Sequence, residues 1–203
     1  MPPVTPNLAE AIDAAATGDI WLFRGPTLAD RAIRFTTNSP VNHVAMAVAL
    51  DDLPPLLWHT ELGRGATDVW TADRHRGAQL NRMDEALELW TGRYRQRAYV
   101  RQLDAHVDRA MENRLLHVVA DYSGAAFPGP LVLARTWLIG RLRRTASLHA
   151  VFCAQLLAIT YERMGLLADD RPANWYDPGR FWSGDRLRLE RGAVLGPEVS
   201  IEP

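Results

Sequence analysis

At 203 residues and 47% hydrophobic content, the chain is long enough to bury a full core as one domain, 1–203, with its core over about 17–201. Its 23 basic and 24 acidic residues nearly cancel, so no general positive field for nucleic acid exists. All the basic residues are arginine, which excludes a lysine nucleophile or Schiff base, and a single cysteine excludes an intrachain disulfide.

Met1 to Thr17 carries neither a basic n-region nor an apolar h-region, so no signal peptide is expected. No run of 18 apolar residues exists to span a membrane, and the expectation is a cytoplasmic protein. Asn7 to Ala16 predicts a short helix capped by Asn7. Ile20 to Phe23 then predicts a first strand after the Gly18-Asp19 turn, where Asp19 reads as a turn residue capping local N–H groups. Leu28 to Phe35 predicts another short helix.

Ser39-Pro40-Val41-Asn42 is a turn signal, and His43 to Leu50 after it alternates with period two. Val44, Met46, Val48 and Leu50 share one face of this strand, and His43, Ala45, Ala47 and Ala49 the other. The histidine heads a strip of small residues that would admit a closely packed element, for instance a helix. After Asp51 to Pro55, Leu56 to Glu61 predicts a second strand, antiparallel to the first across a short loop. His59 and Glu61 share a face there, and either is placed to hydrogen-bond the His43 ring. Two histidines one hairpin apart also form a metal-ligand pattern. No carboxylate or cysteine cluster at metal-site spacing accompanies them, so neither a metal nor a cofactor is expected.

Further on, Ala78 to Asn81 predicts a strand, Asp84 to Trp90 a helix, Ala98 to Gln102 a strand, and Asp104 a cap for a helix reaching about Val119. Residues 127–144 combine an apolar run with the basic end Arg141, Arg143 and Arg144. They read as a buried helix or as an apolar flap beside the active site, in transient contact with lipid. Trp137 and Leu138, in the middle of that run, are the candidate substrate-binding residues. Phe152 to Met164 predicts an amphipathic helix ended by Gly165, with Cys153 on its first inward-facing turn. Free N–H groups and the helix dipole at that end favour thiolate. The tail, 169–203, predicts an edge strand. Strands that cluster early, with irregular helical interruptions, argue against a doubly wound α/β fold.

Gly18-Asp19-Ile20-Trp21-Leu22-Phe23-Arg24-Gly25, Ser39-Pro40-Val41-Asn42-His43-Val44-Ala45-Met46, Leu56-Leu57-Trp58-His59-Thr60 and Val151-Phe152-Cys153-Ala154-Gln155-Leu156-Leu157 follow one another in this order. Together they resemble the permuted branch of the NlpC-type papain-like superfamily, the YiiX-like amidases and their lecithin:retinol acyltransferase relatives. The resemblance implies an α+β, circularly permuted papain-like domain, with an antiparallel sheet of five or six strands and helices against one face. By position, Cys153 matches the nucleophile and His43 the base. The third position, often a glutamate in this branch, is His59, with Glu61 two residues on as the alternative. The implied activity is a cysteine-dependent amidase or peptidase acting on peptide-like or N-acyl substrates. The alternatives are lipid acyl hydrolysis or transfer, and a non-catalytic peptide- or lipid-binding module on the same fold. Small-molecule, peptide or acyl substrates are the expected partners.

Overall fold

The structure, a computed structural model, describes residues 5–61, 63–124 and 148–202. A short helix α1 (Leu8–Asp13) leads into strand β1 (Ile20–Arg24), helix α2 (Leu28–Thr37), and strands β2 (His43–Val48), β3 (Leu56–Glu61) and β4 (Gly77–Arg82). Helix α3 (Met83–Glu88) runs into a π-helical turn, Leu89–Arg93, followed by β5 (Arg97–Arg101), β6 (Leu103–Asp104) and α4 (Arg109–Tyr122). Beyond residue 147 come α5 (Leu148–Met164), a 3-10 turn Ala173–Trp175, α6 (Pro178–Ser183), β7 (Val194–Leu195) and β8 (Val199–Ser200).

The fold class is α+β. Among the described residues, six strands form one antiparallel sheet in the order β4-β3-β2-β1-β5-β8, and β6 pairs with β7 apart from it. β1 to β4 are consecutive neighbours because their connections are local. The tail supplies β8 as the expected edge strand, pairing Tyr99 with Ser200 and Val100 with Val199. Arg101 ties this tail down. Its guanidinium donates to the carbonyls of Phe181, Trp182, Leu195 and Gly196 at 2.7–3.0 Å, a fan of acceptors that suits the rigid planar fork of arginine.

Local chemistry sets the helix starts. Asn7 and Thr27 each close a reciprocal capping box, with Glu10 and Asp30 respectively. α1 stops at Asp13, short of the predicted Ala16, because the chain must turn into β1. Asp19 there accepts from the backbone N–H groups of Ala16 and Leu103, as a turn carboxylate should. The predicted cap at Asp104 is corrected: Asp104 lies on β6, and Asp108 caps α4 by accepting from the Met111 N–H.

Helices cover both faces of the sheet, not one. On the first face Val44, Met46 and Val48 pack with Leu156, Leu157 and Tyr161 of α5 and Met111, Leu115 and Val119 of α4. Each aliphatic side chain fully buried there contributes about 1.5–3 kcal/mol. Buried polar bonds tie the same layer: the Trp58 indole N–H donates to Thr160 Oγ1 at 3.1 Å, and the Tyr161 hydroxyl donates to the Gly18 carbonyl. On the opposite face Ala45 and Ala47 lie among Trp21, Phe23, Leu57, Met83 and Trp90. The small-residue strip headed by His43 therefore receives α3 and the π turn rather than the cysteine helix. Large rings fill the space that alanine leaves. Among the described residues no helix is long and apolar enough to cross a membrane.

Candidate active site

His43 opens β2 half-buried, opposite Phe23 of β1. Its ring lies 5.7 Å from the Phe23 ring, 5.0 Å from Trp90 and 5.8 Å from His59, centroid to centroid, and stands nearly perpendicular to the last two. β3 carries His59 on the same face of the sheet as His43, two residues before Glu61, so the pleat brings together the two histidines that sequence singled out.

The His59 ring is fully buried, and its bonding fixes its tautomer. Asn81 donates its amide N–H to the Thr67 carbonyl at 2.8 Å, so its Oδ1 is left as the acceptor. His59 Nε2 lies 2.6 Å from that oxygen and must carry the proton, which leaves Nδ1 as a lone-pair acceptor with no hydrogen-bond partner of its own. Burial pushes the His59 imidazole down to about 4, against the opposing pull of its bond to Asn81. At neutral pH, His59 is thus an uncharged acceptor, the form an orienting group needs in order to take an N–H from a neighbouring imidazole. Gln79, its register partner across β3 and β4, is also fully buried.

Glu61 is half-buried. Burial raises its carboxyl above the ordinary range, and the neighbouring Trp90 indole offsets part of that rise. The loop behind it carries a second buried acid, Asp68, which accepts from the N–H groups of Trp70 and Leu80, the Thr71 hydroxyl and His75 Nε2. His75 stands 2.8 Å from Asp68. This cluster anchors the segment that presents the Thr67 carbonyl to Asn81.

Cys153 is fully buried in the core on the α5 face of the sheet, with Val44 and Met46. It is the sixth residue of α5, not a residue of its first turn. Leu148 to Val151 include no glycine or proline to stop the helix, and a nucleated helix propagates through such residues. The expectation of a favoured thiolate is also corrected. Burial pushes the Cys153 thiol up to about 12, and the backbone amides of Val44, Ala154 and Cys153, which stabilise the thiolate, offset only part of that. The sulfur comes against the Val44 amide, one residue past His43, whereas the His43 ring belongs to the layer on the other side of β2. The structure thus joins His43 to His59 through their rings, and Cys153 to the same strand end through its backbone.

Trp137 and Leu138 lie outside the described residues. Among the described residues, no group of three or more His, Cys, Asp or Glu is placed to hold a metal ion. Three residues of this site escaped the sequence reading. Asn81 and Gln79 alternate with apolar neighbours along β4, which reads as an ordinary solvent face, yet both are fully buried. Trp90 read as the last residue of a helix, with nothing local to mark it as the neighbour of two histidines.

No family model and no curated protein matches this chain. Among solved structures, it is similar to the crystal structure of the metalloprotein YiiX from Escherichia coli O157:H7, with a TM-score of 0.48 and 15% identity over 90% of this chain and 89% of that one.

Proposed function

We propose that the protein is a cysteine-dependent acyl hydrolase of the permuted papain-like type, cleaving amide bonds of peptide-like or N-acyl substrates. The observation that supports this reading is that Cys153 and His43 are both placed at the start of β2, on opposite faces of the strand: Cys153 packs with Val44, and the His43 ring stands 5.8 Å from the neutral His59. In the proposed reaction the His43 ring first comes around the end of β2 to the sulfur, and Sγ then bonds to the amide carbonyl carbon as the thiol proton passes to His43. The C–N bond then breaks, and the amine leaves with the proton that His43 returns. Water hydrolyses the thioester to regenerate the thiol. His59 Nδ1 is the lone pair available to the His43 ring, and accepting its N–H during the reaction would hold that ring in one tautomer.

The test is turnover on a panel of N-acyl amino acids and short peptides. Cys153→Ala and His43→Ala should abolish it, and His59→Ala should cost less than His43→Ala. A Cys153→Ala protein with full activity would refute the mechanism.

The buried, protonated thiol favours one second reading, a non-catalytic module that binds peptide or acyl ligands on the same scaffold. In that case Cys153→Ala leaves ligand binding intact, and no member of the panel is turned over.

A further inference from the structure

Trp90 packs against the rings of Phe23, His43 and His59 together. It stands 4.6 Å from Phe23, 5.0 Å from His43 and 4.5 Å from His59, with interplanar angles of 86°, 86° and 90°. Perpendicular packing is a preferred arrangement of aromatic pairs, and turning either imidazole about its Cβ–Cγ bond would break it. The indole is itself held. It is almost fully buried, with Glu61 close enough for the indole to pull its carboxyl downward against the effect of burial. It also sits in a widened turn, closed by the Tyr94 N–H bonding to the Leu89 carbonyl at 3.1 Å, a device that recurs where a helix must present a side chain to a site. The loop after β3 closes on this clamp because it lacks side chains at two positions. A Cβ at Gly63 would stand 2.7 Å from Glu61 Oε1, and one at Gly65 2.5 Å from Leu89 Cδ2 and 3.1 Å from Tyr94 Oη.

We propose that Trp90 is a positioning residue for the histidine pair, its indole fixed by Glu61 and its ring plane setting the orientations of both imidazoles. This rests on the reading of His43 as the base. Position 90 calls for an aromatic ring perpendicular to both imidazoles, which an aliphatic side chain of similar bulk cannot supply. Glu61 acts on the site through Trp90 rather than by bonding His43 itself.

The test uses the full chain and its Trp90→Phe, Trp90→Leu and Glu61→Gln variants. Imidazole nitrogen resonances of His43 and His59 are followed against pH, together with the pH profile of Cys153 alkylation by iodoacetamide. Trp90→Phe, which keeps a perpendicular ring, should leave the His43 midpoint within about 0.2 pH units of the parent. Trp90→Leu should move it by about 0.5 units or more and displace the alkylation profile in the same direction. Glu61→Gln should shift the Trp90 indole proton resonance and move the His43 midpoint in the direction Trp90→Leu does. A folded Trp90→Leu protein with unchanged His43 midpoint and tautomer overturns the proposal. If Trp90→Leu does not fold, unchanged indole and His43 resonances in Glu61→Gln overturn it instead. An alkylation profile that His43→Ala leaves untouched would remove His43 as base, while the nitrogen resonances would still judge Trp90 by themselves.

Discussion

His59 donates its Nε2–H to Asn81 Oδ1 across 2.6 Å, and Asn81 is in turn anchored by its own amide to the Thr67 carbonyl. One buried side chain on the neighbouring strand therefore decides which nitrogen of His59 carries the proton. The free lone pair lies on Nδ1 because Asn81 has claimed the other side of the ring.

Replacing Asn81 by Leu should undo that choice. The buried His59 Nε2 loses its partner, at a cost of about 1–3 kcal/mol, and the half-buried Thr67 carbonyl loses one as well. The checks are chemical denaturation and the imidazole nitrogen resonances. A His59 that stays in the Nε2–H form in this variant would show that something other than Asn81 sets the tautomer.

His59 also makes stability depend on pH with a definite sign. Its folded value, about 4, lies below the ordinary value near 6.5, so the folded state excludes a proton that the unfolded state binds. The stabilisation is present in full above pH 6.5 and is lost as pH falls toward 4, by roughly 3 kcal/mol over that window. A His59→Gln variant should lack this portion of the acid-side loss. Unfolding curves at pH 7 and pH 4.5 measure it, and parallel losses in both proteins would contradict the neutral, buried state of the ring.

The Cys153 thiol acts with the opposite sign. With its folded value near 12, the thiol stays protonated where an unfolded thiol ionises, so its contribution is present below about pH 9 and is lost as pH rises toward 12. In the absence of substrate, native Cys153 should react with iodoacetamide at pH 8 at least about a hundredfold more slowly than in urea-unfolded protein. Equal rates would mean that the sulfur is neither buried nor shifted.

Arg101→Lys should loosen the tail without touching the site. An ammonium cannot reach the four carbonyls of Phe181, Trp182, Leu195 and Gly196 together, so buried acceptors are left short of donors. The expected cost is about 2–3 kcal/mol, with hydrogen exchange rising first at β8 and α6. Protection that stays unchanged in those two elements would show that the arginine is not what holds them.

The sequence by itself determined the β2–β3 hairpin and the sharing of one face by His43, His59 and Glu61, because period-two alternation is a local property of an extended chain. It also determined the capping of α1 at Asn7, which nearby residues set, and the extended character of the tail, whose pairing with β5 is tertiary. The tertiary structure alone decided which layer covers which face. Alternation places Ala45 and Ala47 opposite Val44 and Met46, but it does not say whether the cysteine helix or a tryptophan fills the space above the alanines. The charge states were likewise decided in three dimensions. Cys153 and His59 depart from their ordinary values because they are sealed from water, and the tautomer of His59 depends on Asn81, 22 residues further along the chain. Desolvation and partner choice are properties of the packed interior, where residues distant in sequence meet, and no local pattern in the chain records them.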